Sequence, residues 1–117
     1  MLFRIESERT TGAIILRCKG ALVHGEPSTM LLHAGEKHGA QRLIVDLTGV
    51  DSIDASGLGA LVGLVRWARR AGVCVRLLNP SKYVRELLRL TRLERVFEIV
   101  AADQEPALKP ASAASAA

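Results

Sequence analysis

The hydrophobic pattern changes period repeatedly in the second half of the chain, and this change constrains the fold more than any other feature. Leu43-Ile44-Val45-Asp46-Leu47 is an almost continuous apolar run bounded by polar residues, as a central strand covered on both faces requires. After a predicted loop from Thr48 to Ala55, apolar residues recur at Leu58, Leu61, Leu64, Val65 and Ala68, a spacing that defines one buried helical face. Gly72 ends that helix after Ala71. The alternation then repeats. Val73 to Leu78 reads as a strand, and Asn79-Pro80-Ser81 supplies a cap and a φ-fixed first turn for a helix with Val84, Leu87, Leu88 and Thr91 turned inward. Phe97 to Val100 is a last short strand. Strands alternating with helices call for parallel pairing through right-handed crossovers.

The first half opens differently. Phe3 and Ile5 alternate with Arg4 and Glu6, and Ile14, Leu16 and Cys18 alternate with Ile15, Arg17 and Lys19, with Thr11-Gly12 between the runs. This is the pattern of an antiparallel hairpin. Glu26 to His38 suits a helix with Pro27 in its first turn and Gly39 after its end. The predicted order is ββαβαβαβ, an α/β fold with a mixed sheet of about five strands. Pro106 starts a brief predicted helix that Pro110 curtails, and residues 109–117 form an Ala/Ser-rich flexible tail.

At 117 residues the chain matches one domain, and its 49% apolar content is enough for a core. Only Phe3, Trp67, Tyr83 and Phe97 are aromatic, so the stacking platforms of single-strand nucleic-acid binders are missing. Cys18 and Cys74 are too few and too far apart for a disulfide framework or a zinc site, and read as buried free thiols. The charged residues between Met1 and Arg9 do not suit the apolar core of a secretory signal, and the longest uncharged apolar stretch, Gly57 to Val65, is too short to span a bilayer. A cytoplasmic protein is expected. The formal charge of +4 is concentrated between Arg66 and Arg95, where nine basic residues face only Glu86 and Glu94. Such a segment suits an acidic partner.

The loop after the central strand concentrates the chemistry, because ligands of open α/β sheets bind beyond the carboxyl ends of the strands. Ser56 falls just before the helical periodicity begins and is the expected N-cap of that helix. On the outward face of the same helix Gly59, Gly63, Arg66 and Arg70 lie one above another. Two glycines cost a helix about 1 kcal/mol each relative to alanine, so they suggest a shallow trough for a partner's backbone, bordered by Val62 and anchored by the arginines. Close packing of a neighbouring element is the alternative explanation.

The run Asp46-Leu47-Thr48-Gly49-Val50-Asp51-Ser52-Ile53-Asp54-Ala55-Ser56-Gly57-Leu58-Gly59-Ala60-Leu61 resembles the signature of STAS domains, the anti-sigma factor antagonists. Weaker similarity extends over about residues 3 to 108, through Gly20-Ala21-Leu22 and Leu78-Asn79-Pro80-Ser81 with Val84 and Leu88. The resemblance implies a single STAS-like domain over residues 1–108, with helices packed mainly on one face of the sheet. It also implies a non-enzymatic module without a cofactor that captures an anti-sigma factor and frees the sigma factor. By the same resemblance the expected partner is a serine kinase of the histidine-kinase-like ATPase fold that phosphorylates a serine at the helix start, with a phosphatase as a further expected partner. Ser56 matches that serine, and Asp54, Ala55, Gly57 and Gly59 surround it. Val62, Gly63 and Arg66 complete the expected docking surface. Two positions depart from the family pattern: Ala55 replaces a second hydroxyl residue, and Val23 stands where many members carry Asp.

Other readings of these residues lead elsewhere. A STAS subunit of a lipid-transporting ABC system at the cytoplasmic face would contact its ATPase or permease without phosphorylation. Asp46, Asp51 and Asp54 together would suit magnesium, although turn and capping roles are commoner for aspartates. Ser56 as a hydrolytic nucleophile would need a base and an orienting acid, and His24, His33 and His38 lie in no nucleophile-elbow motif, reading instead as surface or partly buried neutral residues. Lys82, Arg85, Arg89 and Arg92 form a basic ridge that is solvated or meets acidic protein or lipid headgroups. Direct DNA reading has no motif here. Trp67 and Tyr83 are expected to be partly buried on helix flanks.

Overall fold

The computed structural model describes residues 3–37 and 42–101. Five strands form one sheet: β1 (Arg4–Thr10), β2 (Ala13–Leu22), β3 (Arg42–Ile53), β4 (Cys74–Leu78) and β5 (Glu98–Val100), in that spatial order. Helices α1 (Glu26–Lys37), α2 (Ala55–Ala71) and α3 (Lys82–Leu90) connect the later strands, and a 3₁₀ turn at Leu93–Arg95 leads into β5. β1 and β2 pair antiparallel across the Thr11-Gly12 turn, while β2–β3, β3–β4 and β4–β5 are parallel. The predicted order and the central strand are borne out. The Pro106 helix, residues 109–117 and His38 lie outside the described residues.

Alternation along the strands sorts the side chains into two faces. Ile14, Leu16, Leu43, Val45 and Leu77 join Leu31 of α1, Leu61 and Leu64 of α2, and Val84 and Leu88 of α3 in the main core. Ile15, Ile44 and Leu78 form a smaller buried cluster, with Val100 against it, on the other face. Among the described residues, none from the three helices belongs to that second cluster. Across the same face Arg17 joins three strands, bonding Glu8 at 2.7 Å and Asp46 at 2.8 Å. Arg76 pairs with Glu98 at 2.6 Å farther along.

The helix ends follow the chemistry of their sequences. Gly72 takes a left-handed conformation, φ 74°, which a Cβ would disfavour, and Ala68 O receives the Gly72 and Val73 amides there. Ser81 caps α3 by accepting from Val84 N at 3.2 Å. Thr91 departs from the inward stripe expected of it. It sits exposed at the helix end, where its hydroxyl donates to Leu87 O at 2.7 Å, because a threonine can satisfy a terminal carbonyl as readily as it can pack.

The α1–α2 contact is close because two glycines permit it. A Cβ on Gly35 would lie 2.2 Å from Leu64 Cδ1, and one on Gly63 would lie 3.2 Å from Leu32 Cδ2. Each helix thus seats a leucine of the other over a glycine. At Gly63, therefore, packing by a neighbouring element accounts for the missing side chain.

Three further expectations are corrected. The segment expected as a loop from Thr48 to Ala55 is strand as far as Ile53, pairing with Lys19 to Leu22 through two register shifts that absorb its irregular pattern. Cys74 is exposed, because it begins β4 on the sheet face away from the helices, opposite Arg42. Cys18 is buried as expected, and burial, followed by the nearby Asp46 charge, pushes its thiol up to about 12. Tyr83 is 55% exposed rather than partly buried, because the inward stripe of α3 is carried by Val84 and Leu88.

Candidate functional site

Parallel pairing of β2 and β3 brings the loops after both strands to the same end of the sheet. One loop carries Val23, His24 and Gly25 into α1; the other is the single residue Asp54 leading into α2. Asp54 joins the two. Its backbone is extended and its Oδ1 accepts from Gly57 N at 2.9 Å, the geometry of an N-cap. Its Oδ2 accepts from His24 N at 3.0 Å, and its own N–H donates to Leu22 O at 3.4 Å. The expectation that Ser56 caps α2 is therefore overturned. The helix begins at Ala55, so the carboxylate at 54 reaches the Gly57 amide and the hydroxyl at 56 already belongs to the first turn.

Gly57 makes this junction possible. A Cβ there would sit 2.1 Å from Leu22 O and 2.8 Å from Ile53 Cγ1, so the start of α2 presses directly on the β2 backbone. The His24 loop is pinned from its far side as well, by Ser28 Oγ donating to Val23 O at 2.8 Å and by Thr29 N donating to Gly25 O at 3.3 Å. Hydrogen bonds from the Gly57 N–H first and the His24 N–H second hold the Asp54 carboxyl below its ordinary value. The site is therefore anionic at neutral pH.

Ser56 is released from capping and presents its hydroxyl at the surface. It is half-buried, between exposed Asp54 and Ala55 and buried Gly57. Its Oγ lies 3.2 Å from Nδ1 of exposed His24. Farther along α2, Gly59 faces open space, where a side chain would meet nothing within 4 Å, while Val62 and Gly63 are half-buried and Arg66 is exposed. The trough expected over both glycines is therefore open at Gly59 and closed by Leu32 at Gly63.

His24 is the residue of this site that its sequence context does not reveal. Its contact with Ser56 spans 32 positions and depends on the parallel register, for which the crossover between the two strands is the sequence signal. The three aspartates considered for magnesium do not converge: Asp46 is engaged by Arg17 and Thr48 within the sheet, and Asp54 is the cap. Among the described residues no group of three His, Cys, Asp or Glu side chains is placed to hold a metal ion. Nor is any described helix long and apolar enough to cross a membrane.

The STAS domain model matches residues 4–105, nearly the whole chain and all of this site. The chain belongs to the STAS domain family. A curated Thermotoga maritima protein, named as a candidate anti-sigma factor antagonist, is 31% identical over 61 residues, or 52% of this STAS chain and 54% of that protein. The match thus spans about half the length of the curated relative. The solved anti-sigma factor antagonist SpoIIAA, in its unphosphorylated form, superposes with a TM-score of 0.66 at 22% identity, covering 92% of this chain and 94% of that one. A sulfate transporter family protein from Wolinella succinogenes superposes with a TM-score of 0.71 at 18% identity, covering 88% of each chain. These two likenesses establish the shared fold.

Proposed function

We propose that this STAS domain is an anti-sigma factor antagonist whose α2 N-terminus docks an anti-sigma factor, and that phosphorylation of Ser56 breaks the contact. The observation that carries this reading is the Ser56 hydroxyl, freed from capping by Asp54 and accessible beside the open surface at Gly59. The kinship to proteins named as antagonists supports it, as does the existence of a phosphorylated form of SpoIIAA with the same fold. The partner is a serine kinase that holds a nucleoside triphosphate. Its γ-phosphoryl group forms a P–O bond to Ser56 Oγ as the bond to the departing nucleoside diphosphate breaks, and the hydroxyl proton leaves to a base on the partner.

The physical effect is a change of charge at a docking surface. The phosphate adds about −1.5 to −2 charges at the mouth of α2, beside an Asp54 already ionised. A partner surface shaped for a neutral hydroxyl would have to desolvate a dianion, which is costly where no cation answers it. The setting is cytoplasmic, and the module performs no chemistry of its own. Incubation with the cognate anti-sigma kinase and ATP, followed by peptide mass spectrometry, is expected to add about 80 Da at Ser56. Stable binding of the active kinase without that mass would overturn the switch.

The fold shared with a transporter-family protein supports a second reading, a STAS subunit of a transport system held constitutively by its ATPase or permease. Val23 and Ala55 fit it, since they stand where the family pattern has an acid and a second hydroxyl. Co-purification with a transporter component, with Ser56 unmodified throughout, would favour this assignment.

A further inference from the structure

We propose that His24 is a positioning residue for Ser56, orienting its hydroxyl before modification and supplying the cation that holds the phosphate afterwards. The proposal rests on the phosphoswitch reading and adds a residue to it. His24 Nδ1 lies 3.2 Å from Ser56 Oγ, and the loop that presents it is not free to drift, because its own amide is tied to Asp54 and Val23 O is tied to Ser28. A neutral ring accepts the serine O–H through Nδ1, which leaves the oxygen lone pairs directed outward; a protonated ring donates to phosphate oxygen from the same atom.

A phosphate on Ser56 gains from such a donor because the helix start is already partly engaged. Helix N-termini bind anions through amides without partners. Here the Gly57 amide is given to Asp54 Oδ1 and the Asp54 amide to Leu22 O. The charged side chains next to this site along the chain are acidic: Asp54 at the cap, exposed Asp51 three residues before it and exposed Glu26 two residues after His24. Beside the ionised Asp54 a dianion gains from an answering cation. The imidazole already in contact with the oxygen meets that need.

The test uses the whole chain with phosphoserine incorporated at position 56 during translation, so that no kinase is required, and follows the second ionisation of the phosphate by 31P NMR. A cation in contact favours the dianion. The midpoint in the parent protein is therefore expected about half a pH unit or more below that in His24→Ala, a threefold or larger change in proton affinity, and the gap narrows at high salt. His24→Asn keeps a polar group near Nδ1 but carries no charge, and is expected to titrate like His24→Ala. His24→Lys restores the charge and is expected to bring the midpoint back down. A merely structural role would leave the parent, His24→Ala and His24→Asn midpoints together, and coincidence of those three within about 0.1 unit overturns the proposal. Amide NMR spectra establish that each variant is folded before its midpoint is read. Failure of a cognate kinase to modify Ser56 would instead defeat the switch itself, leaving the measured His24–phosphate coupling intact.

Discussion

Asp54 joins elements that are distant in sequence, and its titration gives this junction a pH signature. Hydrogen bonds from Gly57 N–H and His24 N–H keep the folded carboxyl below its ordinary value of 3.8. A group whose folded value is lowered contributes stability that is complete above the unfolded value and fades as pH falls through the folded one. Asp54→Asn keeps an acceptor for the Gly57 amide but cannot ionise. Its melting temperature is expected to fall a few degrees short of the parent's between pH 5 and 7, with the gap closing as the pH drops below about 3.8. Calorimetric melts across that range check it; a gap that stays constant down to pH 2 would show that ionisation is irrelevant here. The aspartate is plain in the sequence, but the onset of the apolar periodicity points to Ser56 as the cap instead. Both residue types cap helices, and a two-residue shift in the predicted start decides between them.

At the scale of the helix, the glycines of α2 have different tasks despite their regular spacing. Gly57 touches the Leu22 carbonyl, Gly63 receives Leu32, and Gly59 faces open space. Gly57→Ala would force backbone apart and is expected to cost about 3 kcal/mol, the upper end for overpacking. Gly59→Ala meets no obstacle and should stabilise the helix by up to about 1 kcal/mol through helix propensity. Urea denaturation resolves a difference of this size, and equal stabilities for the two variants would refute the assigned contacts. Gly59→Leu should remain folded while obstructing a partner, which makes it the better docking probe; Gly63→Leu would drive into Leu32. The periodicities of α2 and α3 are legible because a one-sided core stamps a three-and-four spacing on each helix. The extension of β3 is not. Its buried residues Leu47, Val50 and Ile53 fall three apart where register shifts interrupt the pleat, and a period of three mimics neither a strand nor an α-helix cleanly.

Across the whole molecule, the proposed switch surface is attached to the core by backbone and by Asp54, not by the Ser56 side chain. The sheet carries its own ties, with Arg17 spanning β1 to β3 on one face and leucines from all three helices or their flanking strands filling the other. Parallel strands bring the ends of β2 and β3 together, so the proposed docking surface lies at that end of the sheet, held there by Asp54 and by Gly57 against β2. A charge added at Ser56 should therefore register at the partner and hardly at all in the fold. It stands at the positive end of the α2 dipole, which favours a negative group by about 0.3–1 kcal/mol, offset by repulsion from Asp54. Ser56→Asp is accordingly expected to melt within about 3 °C of the parent while binding the anti-sigma factor at least about tenfold more weakly, a loss on the order of 1.4 kcal/mol. Calorimetric melting and titration of the purified partner measure the two quantities on the same sample. Ser56→Ala separates size from charge: it should bind within about threefold of the parent, a difference on the order of 0.7 kcal/mol, because it removes one exposed hydroxyl without adding charge. Equal weakening by Ala and Asp would mean that the hydroxyl itself is the contact and that charge has no veto. A large drop in melting temperature for Asp alone would place the defect in the helix start, and the separation of docking from folding would fail.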